Sequence, residues 1–440
     1  MNNRREIFGW AMYDWANSAF STTVVVVFFG PYLTSIAQSA SRDGFIYLFG
    51  IPIKYNSLFS YCGSVSVGLQ VLFLPVLGAL ADYSRARKRM LMLFAALGSA
   101  ATVAMFFVKP GLHWFGGALF IMANLSFGAS MVFYNAYLPD IASPDRRDGI
   151  SSRGFAFGYA GGGLLLVLNL LLFEFRERLG LDSGLAVRIC LASAGFWWIG
   201  FSLLTFKRLR SRRAARALPP GQSYFTVGFK QLANTLSQVS KFPQTIRYLL
   251  AYLIYNDGIQ TVILMTTVFA SDELKMVESE LILIILMVQG VALAGSLAFG
   301  RLAEKMSTKR AIIVSLIIWS GITLYAFFVR SHLEFWFLAA SGALVLGGSQ
   351  ALSRSLFSQM IPRGREAEFF SFYEVSDRFT SWLGPLLFGL ANQFLGGLRY
   401  GILSLLALFL VGLLLLTSVN VARAIREAQT ADLREAFATA

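Results

Sequence analysis

The sequence predicts an all-α membrane protein of twelve transmembrane helices, arranged as two six-helix bundles with pseudo-two-fold symmetry. Three observations carry this. Of the 440 residues, 56% are hydrophobic and only 14% charged, against about 25% charged in soluble domains. The apolar runs are about 20 residues long, enough to cross a bilayer as helix, and lack the ten-residue alternation of a membrane barrel. Finally, loop motifs in the first half recur in the second: Gly78 to Arg89 (GALADYSRARKR) and Gly300 to Arg310 (GRLAEKMSTKR).

The first six spans are expected near residues 8–37, 56–81, 90–108, 112–138, 151–174 and 187–206. The second six are expected near 243–270, 280–303, 311–329, 334–360, 367–393 and 398–419. This divides the chain into an N-terminal bundle (1–206), a linker (207–242), a C-terminal bundle (243–422) and a tail (423–440). The first apolar run lacks a small-residue cleavage site and is expected to stay as helix. With both termini placed in the cytoplasm, most of the 38 lysines and arginines fall on the cytoplasmic side, as the positive-inside rule requires. The net charge of +14 is thereby explained without nucleic acid, and a bacterial inner membrane is the expected location. The linker opens basic (KRLRSRRAAR). It continues with Phe225, Phe229, Leu232, Leu236 and Val239, the spacing of an amphipathic helix lying on an anionic inner leaflet.

Span one carries an aspartate. In WAMYDWANSAF, Asp14, Asn17 and Ser18 share one helical face. Span seven repeats the pattern in IYNDGIQT, with Tyr255, Asn256, Asp257 and Gln260. An ionisable group in a membrane helix costs about 2.5–3.5 kcal/mol on insertion scales, so it is usually functional. The plainer alternative is a carboxylate near the interface, favouring a helix start. Asn124, Tyr134 and Asn135 in span four, Gln70 in span two, Gln289 in span eight and Gln350 in span ten are further candidates to line a polar cavity. Arg354 in span ten and Glu374, Asp377 and Arg378 in span eleven lie at matching depths. Arg354 is therefore expected to pair with Glu374 or Asp377. Gly158, Gly161, Gly162 and Gly163 are expected to pack the halves together, and Gly384 and Pro385 to kink span eleven.

The repeat is ordered. Asp82 and Glu304 follow a glycine by four residues in both loops, 222 residues apart, and Pro144 and Pro362 open a second pair of loops 218 apart. A parallel repeat of six-helix halves is the organisation of the major facilitator fold. GALADYSRARKR resembles that superfamily's signature loop, although Ala86 and Arg87 stand where a glycine is usual. The resemblance implies a cytoplasmic gate at Gly78, Asp82, Arg85, Lys88 and Arg89, mirrored by Gly300, Glu304, Lys309 and Arg310. A narrower resemblance is carried by YDWANSAFST, YNDGIQT, GSQALSRSLFSQMIP, EFFSFYE and LGPLLFG. These are similar to the vacuole-effluxer branch, the autophagy-related vacuolar amino-acid exporters and their bacterial relatives.

Function is accordingly expected to be secondary transport of a small polar or amphipathic solute, with amino acids the class the resemblance suggests. Coupling is expected through protons on Asp14 or Asp257, because burial disfavours the charged form of a carboxyl. No G-x-x-x-x-G-K-[ST] loop occurs. Two cysteines and two histidines define neither a disulfide framework nor a metal centre, and they offer no enzyme's nucleophile and base. No cofactor is expected, and a monomer is. A non-transporting receptor or scaffold on the same fold is the rival reading.

Overall fold

The computed structural model describes residues 1–83, 86–211, 241–379 and 383–439, with side chains for all of these except Tyr83, Glu278, Arg378, Phe379 and residues 431–439. Arg85, the side chain of Arg378 and the amphipathic stretch Phe225 to Val239 lie outside the described residues. Among the described residues, eleven helices are long and apolar enough to cross a membrane. They are α1 (Arg4–Ser39), α2 (Tyr55–Asp82), α3 (Arg87–Phe107), α4 (His113–Ile141), α5 (Pro144–Glu174), α6 (Ser183–Arg208), α7 (Pro243–Asp272), α8 (Ser279–Met306), α9 (Thr308–Ala326), α10 (His332–Gln359) and α12 (Leu398–Ser418). The remaining expected span, α11, comprises two segments, Glu366–Phe379 and Leu383–Leu395. Gly384 and Pro385 fall in the first turn of the second segment. An additional helix, α13 (Val421–Thr439), follows.

Both termini lie on one face. Asn2 bonds to Ser143 at the α4–α5 connection, and the Glu6 carboxylate accepts from the Arg210 backbone N–H after α6. Gln244 at the start of α7 accepts from Asn420 N–H beyond α12, and Lys309 donates to the Val419 carbonyl. On the opposite face a short antiparallel hairpin, β1 (Phe45–Leu48) with β2 (Ile51–Lys54), joins α1 to α2. Large apolar side chains such as Leu72, Phe196, Phe337 and Leu414 are exposed around the bundle, which suits a lipid surround and not water.

One local feature departs from expectation. α1 opens into a π-helix over Phe20–Phe28. Its sequence, FSTTVVVVF, crowds β-branched residues that fit a regular helix poorly. The Ser21 and Thr22 hydroxyls donate to the Ser18 carbonyl, competing with the backbone ladder. The wider turn follows directly after Asp14, Asn17 and Ser18, and such bulges cluster at functional sites.

The glycines of α5 also act differently from expectation. A Cβ on Gly158, Gly161 or Gly162 would meet Asp14, Trp15, Ser18 or Thr22 of α1, within the first half. Only Gly163 faces the other half, where its neighbour is Gln289. The stripe therefore seats α1 against α5. The halves themselves meet along α2 with the first segment of α11, and along α5 with α8 and α10.

Candidate functional site

Arg354 is the centre of the interface between the halves. It is 1% exposed, so its charge has to be satisfied by protein. Nε donates to Ser151 Oγ at 2.9 Å. One terminal nitrogen donates to Asn135 Oδ1 (3.2 Å) and Asp14 Oδ2 (3.3 Å). The other donates to the Ser151 carbonyl (2.9 Å) and to Asp14 Oδ2 (3.3 Å). A guanidinium has five N–H donors, and all five are taken up. Its faces are covered by Trp10 and Phe155, at 4.8 and 4.4 Å from the ring centroids, close enough for cation–π attraction. Every one of these partners belongs to the first half, on α1, α4 and α5.

Asp14 is held as firmly. Tyr134 Oη donates to its Oδ2 at 2.6 Å, and Gly154 supplies the room: a Cβ there would sit 2.6 Å from the same oxygen and 2.9 Å from an Arg354 nitrogen. The expected pairing of Arg354 with Glu374 or Asp377 is thus replaced by a pairing with Asp14. Depth along the helix was matched correctly, but α10 turns this side chain toward α1 and α5. Glu374 joins indirectly, accepting from Asn135 Nδ2 at 2.7 Å. Asn135 therefore bridges the guanidinium and a second carboxylate. Asp377 sits elsewhere, accepting from Tyr252 Oη (2.9 Å) and Asn256 Nδ2 (2.6 Å) of α7.

Nearer the terminus-bearing face, Asp82 caps the first segment of α11. Its two oxygens accept from the backbone N–H groups of Ala367 (3.1 Å) and Glu368 (2.9 Å), where a carboxylate also complements the helix dipole. Gly78 makes this possible, since a Cβ there would strike the Ala367 carbonyl. The basic partner is Arg87, not the expected Lys88 or Arg89. Arg87 reaches Asp82 (2.8 Å), Asp140 (2.9 Å) and Glu366 (3.0 Å). Lys88 instead donates to the Leu209 carbonyl at the end of α6, and Arg89 is exposed. We expect Gly78→Leu to hold α2 off α11 and open this face. Alkylation of a cysteine at the buried position Ser371 should then speed up at least about tenfold; an unchanged rate would show that the close approach is not needed for closure.

The second loop does not mirror the first. Gly300 packs on Ser152, but Glu304 is exposed. Across the same contact Asp148, in the first turn of α5, accepts from Thr308 Oγ1 through Oδ2 at 2.7 Å. With an acid already in its own first turn, α5 needs no cap from α8. Lys309 donates to the Thr417 and Val419 carbonyls ending α12, and Arg310 is exposed.

The remaining candidates divide. Gln350 accepts from Tyr159 Oη across the interface (3.1 Å), and Gln289 packs on Gly163. Asn17 and Asn124 stay within the first half, on Met131 Sδ and Ser66 Oγ. Ser18 lies against Gly158. Tyr255 shares a 2.6 Å hydrogen bond with Ser353, and Gln260 is half-buried on α7. Asp257 Oδ2 accepts from the Gly384 N–H at 2.6 Å, while its Oδ1 is buried without a partner. Sequence reasoning missed the roles of Trp10, Ser151, Phe155 and Arg87. The available signals were the i, i+4 spacing of Trp10 and Asp14, and an arginine where the signature loop usually has glycine.

Among solved structures, the fold is similar to the proton:xylose symporter XylE (TM-score 0.69, 13% identity, 93% of this chain and 94% of that one). It is similar also to the human organic anion transporter MFSD10 (TM-score 0.67, 15% identity, 94% and 99%). Helices tied by charges at one face thus define a multi-pass membrane protein with the major facilitator fold. More narrowly, the chain belongs to the vacuole effluxer Atg22-like family, which it matches over residues 2–429. It is 31% identical over 414 residues to the uncharacterized MFS-type transporter YxiO of Bacillus subtilis, covering 93% of this chain and 94% of that protein. It is 25% identical to autophagy-related protein 22-1 of Penicillium rubens, covering 97% and 91%.

Proposed function

We propose that the chain is a proton-coupled secondary transporter that moves a small polar solute, of the amino-acid class, by alternating access. The observation that carries this reading is the polar interface between the halves. Asp14–Arg354, Asn135–Glu374 and Asp82–Arg87–Glu366 all join α1–α6 to α7–α12 on the terminus-bearing side. The second segment of α11 lacks the extensive contact with α2 that the first segment makes. With both termini in the cytoplasm of a bacterial cell, this is a state closed to the inside and facing outward. The family's description as vacuole effluxers favours a solute released from a compartment. Proton coupling suits a fold shared with a proton:xylose symporter.

Counterflow tests the reading. Proteoliposomes loaded with amino acids in turn should accumulate the matching labelled solute for at least one of them. Asp14→Asn should slow exchange about tenfold or more, because it removes the anion on which the buried Arg354 closes. Asp257→Asn should keep counterflow, which needs no net proton movement, and lose accumulation driven by a pH gradient. A receptor or scaffold on the same fold would show no counterflow with any solute.

A further inference from the structure

We propose that Asp257 Oδ1 is the proton-binding site of the transport cycle, and that its protonation is passed to α11 through the hydrogen bond from Gly384 to the same carboxyl. This rests on the transporter reading and separates the two membrane carboxyls, Asp14 and Asp257.

The two acids are equivalent in sequence and opposite in surroundings. Asp14 Oδ2 is held by Tyr134 and by Arg354, so its charge is compensated. Asp257 is 2% exposed and has no ion pair among the described residues. Among the described residues its one hydrogen bond is that from Gly384 N–H, and Oδ1 is buried without a partner. An unpaired charge in such a place is costly, and a neutral acid is not. Thr261 Oγ1 is buried and unpartnered as well. It lies one turn on from Asp257 on the same face, and both lie against Gly384.

Among the described side chains, the neighbouring elements bring no cation. α12 presents Leu408 and Phe409 at Gly258. α10 presents Ser353 to Tyr255. The first segment of α11 presents Tyr373 and Asp377, which meet Tyr252 and Asn256. Two side-chain oxygens are too few for a metal cation, which takes about six or more, and a solute amine has no opening to a buried oxygen. A proton needs neither space nor further ligands. On binding, it converts the carboxylate to a carboxylic acid and so removes the unpaired buried charge.

The consequence for α11 follows from the charge. Gly384 opens the second segment of α11, so the ionised carboxyl holds a helix N-terminus. Protonation removes the charge assistance from that bond and frees the segment from α7. Loss of the proton clamps it again.

Infrared difference spectra between acid and neutral pH, taken on the full chain in lipid vesicles, read the site without any solute. Exposed carboxyls also protonate, so the site is read by difference: the carboxylic-acid C=O band that appears on acidification should be weaker in Asp257→Asn than in the wild type and undiminished in Asp14→Asn. Spin labels at the exposed positions Leu264 and Leu390 should change separation with pH in the wild type and stay at the acid value in Asp257→Asn. A band of full wild-type intensity in Asp257→Asn, a weakened one in Asp14→Asn, or a pH-dependent separation in Asp257→Asn would each overturn the proposal. Because no solute is involved, absent counterflow with an intact band would refute transport and leave the proton site standing.

Discussion

Arg354→Met should be among the most damaging single substitutions in the chain. The wild-type guanidinium uses all five donors and pairs with a carboxylate that is 6% exposed. Methionine fills much of the space between Trp10 and Phe155 but leaves Asp14 buried without its counter-charge. Breaking one side of a buried pair costs about 3–5 kcal/mol, a large part of the stability of most proteins. The melting temperature of the purified protein should therefore fall by several degrees, and transport should be lost. Adding Asp14→Asn to Arg354→Met removes the stranded charge, so the double variant should melt closer to the wild type than Arg354→Met does. This recovery separates an ion pair from simple packing. A double variant as unstable as the sum of its parts would mean that Asp14 and Arg354 do not interact.

Arg87→Gln should release the terminus-bearing face. Three carboxylates, Asp82, Asp140 and Glu366, converge on this one guanidinium. Without it, two of them face each other across the two halves, Asp82 from α2 and Glu366 from α11. Repulsion then replaces attraction at the point where closure has to hold. Using the same range for a broken buried pair, about 3–5 kcal/mol, the closed state should lose its majority. Spin labels at the exposed positions Asp145 and Arg310 should report a longer, broader separation in Arg87→Gln. Arg87→Lys should recover only part of the closure, since one ammonium cannot fork to three carboxylates at once. Distance distributions identical to wild type in both variants would show that capping of α11 by Asp82 suffices alone.

Much of the fold was legible because membranes impose it. A helix must satisfy its own backbone in lipid, so runs of about 20 apolar residues located the spans, and the loop repeat gave the two halves. Parts of the site were legible for the same reason. Asp14, Asp257 and Arg354 are conspicuous where charge is expensive, and Asp82 stands at a spacing that charge bias does not explain. The partners of these groups were less readable. Arg354 was placed at the right depth, because the rise per residue is fixed, yet assigned to the wrong neighbour. Residues 212–240 of the linker and Arg85 fall outside the described residues, so the amphipathic segment stays an expectation.

What the sequence by itself determined is therefore one-dimensional: which segments cross, and how far along its helix each polar group sits. Tertiary structure alone decided which way each helix faces. That choice turned Arg354 onto Asp14, brought Gly154 close enough to admit them both, gave Arg87 three carboxylates and left Asp257 Oδ1 alone. The physical reason is that depth depends only on the count of residues along one helix. Direction depends on how a helix is rotated against all its neighbours, and that rotation is fixed by contacts such as Gly78 on Ala367 and Gly161 on Trp15, made between residues far apart in the chain.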